Sequence, residues 1–268
     1  MSASSSAIES MLVENRVFPP SEATVKAARI SGMEGYNALC AEAEKDFEGF
    51  WARLAKENVV WNKPFTRTLD ESNAPFYKWF DDGELNASAN CLDKHIGTPT
   101  ENKVAVIFEA DDGTVTKTTY KELLARVSQF ANALKAAGVG PQDRVAFLDK
   151  NGIDHFEVFY ACGLLNAVSV DINWRLAAPE VAYIVNDAQA KVLIVGPDFV
   201  PVLDAIAGDI PNAKTIVVIG GHSKFPSYDE FSNSGAKTDP GTESAPEDVA
   251  FQLYSSGTTG RPKGVMLT

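Results

Sequence analysis

Apolar positions recur at two different spacings along the chain. Between Glu34 and Glu57 they recur every three or four residues, which predicts one long amphipathic helix. From Lys103 onward, short apolar, often β-branched runs alternate with helical stretches; the runs are residues 104–108, 144–148, 167–170, 191–195 and 215–219. This alternation predicts the α/β fold class, with a doubly wound, mostly parallel sheet behind a mainly helical N-terminal extension.

Local signals place several turns and helix ends. Asp111-Asp112-Gly113 separates two strand-like runs, which predicts a hairpin. Thr119 and Glu122 form a capping-box pattern, and the helix that they open is expected to end at Gly138. Pro179 suits the first turn of another helix, which is predicted to reach Asn186.

Three segments lack such periodicity. Residues 1–32 are expected to be loosely structured, and residues 232–247, which hold two glycines and two prolines, to form an exposed, mobile linker. Residues 59–83 are rich in aromatic side chains. We interpret them first as a collar packed over another surface, and second as a stacking platform for a sugar or a base.

Composition excludes several classes of function. The chain has 268 residues, 45% of them apolar, which suffices for a proper core, and its net charge is −12. That charge argues against nucleic acid or an anionic membrane as the main partner. The N-terminus has neither the basic residues nor the apolar core of a secretory signal, and residues 158–170 are too short a run to span a bilayer.

The cysteines and histidines do not suggest a metal centre. Cys40, Cys91 and Cys162 are widely spaced, and none of the three histidines stands in metal-ligand spacing. We therefore expect no protein metal site, and buried free thiols in a reducing cytosol. His155 and His222 are interpreted as ordinary surface or partly buried residues.

The densest chemical signal is residues 254–264, which read Tyr-Ser-Ser-Gly-Thr-Thr-Gly-Arg-Pro-Lys-Gly. Glycines let backbone N–H groups converge on one point, and hydroxyls and a lysine add donors and charge. Such a loop suits the phosphates of a nucleotide. It is not a Walker A loop, because only two residues separate Gly257 from Gly260 and Lys263 is followed by Gly264.

This loop resembles the phosphate-binding loop of the AMP-forming acyl-CoA synthetases, within the adenylate-forming superfamily. The resemblance implies that it holds the β- and γ-phosphates of ATP; the residues concerned are Ser255, Ser256, Gly257, Thr258, Thr259, Gly260, Lys263 and Gly264. Arg261 is interpreted as a solvated side chain. The resemblance identifies no catalytic residue within this chain.

The resemblance to acetyl-CoA synthetase is specific in the first third of the chain. It rests on Trp-Ala-Arg-Leu at 51–54, Trp-Asn-Lys-Pro-Phe at 61–65, the run at 78–86 and Asn-Cys-Leu-Asp-Lys-His at 90–95. Residues 149–156, 171–184 and 256–260 instead resemble medium- and long-chain fatty acyl-CoA ligases, which suggests a mosaic with a junction near residues 121–134. The resemblance to acetyl-CoA synthetases implies a cationic contact with the CoA phosphates after the strand at 191–195. Residues 196–202 contain no cation, and Asp198 would repel a phosphate there.

The family implies a division into an extension over 1–100 and the first part of an adenylation domain over 101–268. It also implies ATP, Mg²⁺ and coenzyme A. The carboxylate of acetate or of a fatty acid would attack the α-phosphorus of ATP, and the CoA thiol would then displace AMP. The chain is expected to be C-terminally truncated, with an incomplete sheet domain, and inactive alone. Two alternatives stay open: another adenylate-forming enzyme, such as an amino-acid-adenylating domain, and a non-catalytic fragment.

Overall fold

A computed structural model describes residues 16–255 and 260–268. The chain divides into two compact units, Met1–Asn58 and Val59–Thr268. None of the helices in the described part of the chain combines the length and the apolar composition that a bilayer crossing requires.

The N-terminal unit is helical, as predicted. Its helices are α1 (Glu22–Ala27), α2 (Gly32–Lys45) and α3 (Phe47–Asn58). The prediction of a single helix over 34–57 is wrong at Asp46, which leaves the helical conformation with φ −147° and ψ 83°. Its carboxylate accepts a hydrogen bond from the Gly49 N–H at 2.9 Å, so Asp46 separates α2 from α3. The expectation of loose structure before residue 32 also missed α1, which Ser21 caps by accepting from the Thr24 N–H.

The second unit begins with short elements and an aromatic cluster. Strands β1 (Leu69–Asp70) and β2 (Lys78–Trp79) pair antiparallel, and helix α4 (Ala87–Cys91) and a 3-10 turn (Asp93–His95) follow. The ring of Trp61 lies 5.0 Å from that of Phe65 and 5.8 Å from that of Phe80. Phe76 and Tyr77 remain exposed, so only part of the aromatic segment is packed.

The predicted hairpin is confirmed. Strands β3 (Val104–Glu109) and β4 (Val115–Thr119) pair antiparallel, and Gly113 in their turn has φ +83°. Helix α5 (Tyr120–Ala136) then begins at the predicted capping box of Thr119 and Glu122. Gly138, just beyond its end, has φ +87°, a conformation that favours glycine.

The central sheet has six strands. In chain order they are β5 (Arg144–Leu148), β6 (Val168–Asp171), β7 (Val192–Val195), β8 (Thr215–Val218), β9 (Phe251–Ser255) and β10 (Lys263–Leu267). In space they run β10-β9-β6-β5-β7-β8, with β10 antiparallel to β9 and the other neighbours parallel. The mostly parallel sheet is therefore confirmed.

Helices cover both faces of this sheet, which confirms the doubly wound class. The remaining helices are α6 (Ile153–Leu165), α7 (Ala178–Asp187), α8 (Val200–Ile206) and α9 (Tyr228–Asn233), with a 3-10 turn at Pro197–Phe199. One apolar cluster joins α5, α6 and α9 to alternate side chains of β5, β7 and β8. The other joins α7 and α8 to the side chains of the opposite face. Pro179 lies in the first turn of α7, as predicted.

The segment predicted as an exposed, mobile linker is attached to the fold along much of its length. Ser232 is buried in α9, and Gly235 lies directly against the backbone of α5. Asn132 Nδ2 donates to the carbonyls of Ala236 and Thr238 at 2.9 and 2.7 Å. The prediction of exposure is confirmed for most residues of this segment, but these contacts attach it to α5.

We expect the 268-residue chain to self-associate through the α6-side face of β9 and β10. Leu253, Val265 and Leu267 share that face and are 40–46% exposed, and Phe156 and Phe159 of α6 add further apolar surface. Sedimentation velocity should show a concentration-dependent increase in mass.

Replacing Val265 with lysine should reduce this association. Met266→Lys, on the opposite face of the same strand, is the matched control and should reduce it less. A monomer that melts cooperatively at high concentration would contradict the prediction.

Candidate functional site

The predicted phosphate loop connects β9 to β10. The two strands pair so that Ser255 lies opposite Lys263, and Tyr254 lies opposite Gly264. Ser256, Gly257, Thr258 and Thr259 lie outside the described residues. Because β9 is parallel to β6, the loop leaves the sheet at the edge where the other parallel strands also end.

The strand register groups two of the predicted site residues. Side chains alternate between the two faces of a strand, and directly opposed residues share a face. Ser255 and Lys263 are opposed and exposed, so the hydroxyl and the ammonium group project from the same side at the mouth of the loop. An anion bound there would meet a hydrogen-bond donor and a positive charge together.

The two described glycines of the site differ in what they require. Gly260 has φ +114°, a conformation that L side chains rarely adopt. Gly264 lies within β10, beneath the side chains of Gln252 and Tyr254. A Cβ at Gly264 would lie 3.1 Å from the Tyr254 ring and closer still to the Gln252 amide, so this glycine permits packing across β10.

Helix α7 contacts both ends of the loop, which sequence reasoning did not predict. The Tyr254 hydroxyl donates to Asp187 Oδ2 at 2.6 Å and accepts from Gln252 Nε2 at 2.9 Å. The Tyr183 hydroxyl donates to the Pro262 carbonyl at 3.3 Å. The guanidinium of Arg261 lies 5.4 Å from the centre of the Tyr183 ring. Arg261 is exposed, as expected, but it has an aromatic neighbour.

A second group of charged residues lies where β5, β6 and β7 end. Residues 196–202 contain no cation, as the sequence showed, but Lys150 after β5 reaches Asp198 with its ammonium group at 2.7 Å. The guanidinium of Arg175 stacks on Trp174 at 4.0 Å. The repulsive carboxylate of Asp198 is thus paired, by a residue that is distant in sequence.

His155 and His222 have carboxylate partners that their sequence context does not reveal. His155 Nε2 lies 2.9 Å from Asp171 Oδ1, and its ring stacks on Phe147 with centroids 4.6 Å apart. His222 Nε2 lies 3.4 Å from Asp204 Oδ1. Both histidines are partly or largely buried, and these contacts hold them against the fold.

Within residues 16–255 and 260–268, no group of three or more His, Cys, Asp or Glu side chains could hold a metal ion. A magnesium ion that accompanied a nucleotide here would rely on phosphate oxygens and hydroxyls for ligands. The three cysteines are free, but only Cys162 is buried; Cys91 is exposed, so the expectation of buried thiols is wrong there.

Comparison with known proteins identifies two matching families. Residues 93–268 match the family described as AMP-binding enzyme, and residues 36–91 match the family described as acetyl-coenzyme A synthetase N-terminus. These matches cover the phosphate loop and the helical N-terminal segment that carried the resemblance.

Acetyl-coenzyme A synthetases are among the curated relatives. The chain is 46% identical to that of Thiobacillus denitrificans and 45% identical to that of Burkholderia lata; both matches cover 97% of this chain and 42% of the relative. The similarity to acetyl-CoA synthetases thus extends well beyond the first third. The chain spans less than half the length of these relatives.

Among solved structures, the anthranilate CoA ligase AuaEII, crystallised in complex with anthranoyl-AMP, is similar in fold. The TM-score is 0.62 at 32% sequence identity, over 68% of this chain and 34% of the ligase. The sequence match over residues 93–268 and this shared fold lead to one conclusion: the chain belongs to the AMP-binding enzyme family.

Proposed function

We propose that this chain supplies the polyphosphate-binding part of an ATP-dependent acid–thiol ligase that activates acetate. The observation that carries the proposal is the register of β9 and β10, which sets Ser255 opposite Lys263 at the mouth of the glycine-rich loop. The similarity to acetyl-coenzyme A synthetases over 97% of the chain supports acetate as the acid.

In this proposal the reaction has two steps. A carboxylate oxygen attacks the α-phosphorus of ATP, and the bond to the β-phosphate oxygen breaks, which gives an acyl-adenylate and pyrophosphate. The thiol of CoA then attacks the acyl carbon, loses its proton and displaces AMP. The chain assists the first step by binding the charge that develops on the leaving pyrophosphate.

Lys263 would neutralise that charge, and the Ser255 hydroxyl would donate a hydrogen bond to it. Ser256, Gly257, Thr258, Thr259 and Gly260 would contribute further hydroxyl and amide donors, as the loop's resemblance implies. Gly264 would act indirectly, because its missing side chain lets Gln252 and Tyr254 pack across β10.

The same proposal divides the chain into an extension over 1–100 and an adenylation part over 101–268. The two family matches, at 36–91 and 93–268, support that division. Free Cys40, Cys91 and Cys162 are compatible with a reducing cytosol as the site of action.

The decisive experiment is carboxylate-dependent ATP–pyrophosphate exchange. We would test the 268-residue chain and a chimera in which it replaces the corresponding part of the Thiobacillus denitrificans relative. The chimera should exchange with acetate, whereas the chain alone should not. A folded chimera that exchanged with no acid from acetate to palmitate would refute the proposal; exchange driven by amino acids would favour an amino-acid-adenylating enzyme.

Lys263→Ala should weaken adenylation by the chimera about ten- to a hundredfold. The substitution removes one charge-assisted contact with phosphate, which contributes roughly 1.5–3 kcal/mol. Lys214→Ala, which removes an exposed lysine at the far edge of the sheet, is the matched control and should leave the rate unchanged.

The thioester step, started from preformed acyl-adenylate, should suffer far less from Lys263→Ala, because pyrophosphate has already left. Equal losses in both steps would show that Lys263 supports the fold and does not bind phosphate.

A further inference from the structure

Helix α7 holds the phosphate loop from both sides. On the entry side, the Tyr254 hydroxyl donates to Asp187 at 2.6 Å. On the exit side, the Tyr183 hydroxyl reaches the Pro262 carbonyl at 3.3 Å, and Arg261 lies over the Tyr183 ring. Tyr183 and Asp187 lie four residues apart on α7, and they contact the chain at the end of β9 and just before the start of β10. We name these two residues the α7 anchor.

The anchor stands on a rigid support. Val181, Ile184 and Val185 of α7 are fully buried against the sheet. Pro179 and the Glu180 carboxylate, which accepts from the Ala177 N–H at 2.9 Å, fix the first turn of the helix. The position of α7 is thus set by the core and does not depend on the loop.

The anchor lies on the opposite face of β9 and β10 from the candidate phosphate contacts. Tyr254 faces α7, and the alternation of side chains puts Ser255 and Lys263 on the other face. A carboxylate beside bound polyphosphate would repel it, but Asp187 is separated from that face by the strands. Its role is therefore to position the loop and not to touch the ligand.

The chemistry of the anchor suits a lasting contact. Burial, and then the hydrogen bond to Asp187, raise the pKa of the Tyr254 hydroxyl, so it remains a donor throughout the physiological range. Gln252, which is buried, donates to the same hydroxyl and fixes its orientation. Strand ends that are already held in place lose less conformational entropy when a ligand binds beside them.

We propose that Tyr183 and Asp187 are positioning residues for polyphosphate binding at the paired ends of β9 and β10, where Ser255 and Lys263 lie. The inference rests on the proposed function, since it assigns the anchor to that same site. The ligand class is a linear polyphosphate, either free or as the tail of a nucleoside triphosphate.

The test measures binding of ATP and of sodium tripolyphosphate to the 268-residue chain by titration calorimetry. Asp187→Ala and Tyr254→Phe each remove the same hydrogen bond and should weaken binding of both ligands by about tenfold. Asp187→Asn keeps an oxygen acceptor for Tyr254 and should lose less. The double variant, Asp187→Ala with Tyr254→Phe, should bind no more weakly than the weaker of the two single variants, because either substitution alone already removes the hydrogen bond between these residues.

Asn186→Ala is the matched control on the same helix. Asn186 Nδ2 donates to the Asp209 carbonyl at 2.7 Å, away from the loop, so its removal should leave ligand affinity unchanged. Melting temperatures of all variants, measured alongside, should lie close together. Lower affinity without a lower melting temperature separates positioning from general stabilisation.

Hydrogen exchange of peptides within residues 260–267 gives a readout that needs no ligand. Exchange should accelerate in Asp187→Ala and Tyr183→Phe, and not in Asn186→Ala. If the wild-type chain binds polyphosphate and the anchor variants bind equally well, the inference is overturned and the proposed function stands. If the wild type binds neither ligand, the proposed function fails. If hydrogen exchange in residues 260–267 is also unchanged in the anchor variants, the positioning role of the anchor is overturned as well.

Discussion

Replacing Arg126 with methionine should destabilise the protein by about 1.4 kcal/mol more at pH 8 than at pH 5. The distance between Nε of Arg126, in α5, and Oε1 of Glu157 is 2.5 Å, and the Glu157 side chain is only 1% exposed. The Tyr228 hydroxyl of α9 donates to Glu157 Oε2 at 3.0 Å. Without Arg126, a buried carboxylate would lose the cation that compensates it.

The pH dependence follows from the titration of Glu157. Burial and, to a smaller extent, the nearby Asp154 raise its pKa to about 7, against the attraction of Arg126. Between the ordinary pKa of 4.5 and this value, the folded protein holds a proton that the unfolded chain has released. Stability should therefore fall as the pH rises from about 4.5 to about 7, by up to about 3 kcal/mol.

Arg126→Met removes the attraction that lowers this pKa, so the fall should continue to higher pH. Below pH 5, where Glu157 is neutral in both variants, the difference should be small. The measurement is the free energy of unfolding by urea from pH 5 to 8.

Glu157→Gln tests the assignment of this pH dependence. Glutamine can still accept from Tyr228 but carries no charge, so the slope between pH 5 and 7 should flatten. In the Glu157→Gln background, Arg126→Met should cost much less at pH 8. An equal cost at pH 5 and pH 8 would show that Arg126 acts through packing alone.

Much of the sheet was predictable because its strands carry a local signal. The run Val192–Val195 is mostly β-branched and entirely buried, as a parallel strand covered on both faces requires. The turn at Gly113 and the capping box at Thr119 depend on residues at most three positions apart. In each of these cases the determining contacts are close in sequence, so a pattern reveals them.

The failures arise where a contact joins distant residues. Asp46 breaks a periodic helix by capping the next one, although the apolar spacing continues across it. Asp198 gains Lys150 as its partner across 48 positions, and Tyr254 gains Asp187 across 67. The local sequence does not indicate such pairs, because each residue considered alone is typical of an ordinary surface side chain.

The predicted phosphate loop was recognisable because its composition is unusual, but its contacts with α7 were not. Gly264 was predicted to bind phosphate, and that role stays a prediction. The structure adds a packing reason for the glycine, which lies beneath Gln252 and Tyr254. The register that sets Ser255 opposite Lys263 likewise required the observed strand pairing.

Gly235→Ala should destabilise the protein by about 3 kcal/mol, because it would overpack the segment that leads towards β9. A Cβ at this position would lie 2.7 Å from the backbone nitrogen of Ala133 and closer still to the backbone carbonyl oxygen of Gln129. Both atoms belong to the interior of α5, whose buried face is fixed in the core, so neither can move away cheaply.

Gly208→Ala is the matched control for Gly235→Ala. Nothing lies within 4 Å of a Cβ at Gly208, so alanine should be neutral there or stabilise by up to about 1 kcal/mol, through the lower entropy of the unfolded chain. Urea unfolding of both variants gives the comparison. If Gly235→Ala lowered the free energy of unfolding no more than Gly208→Ala, the segment could shift away from α5. The hydrogen bonds from Asn132 to the Ala236 and Thr238 carbonyls would then not fix its position. A large loss of stability in Gly235→Ala alone would show that the segment between α9 and β9 packs closely against α5 and is not a loose connection.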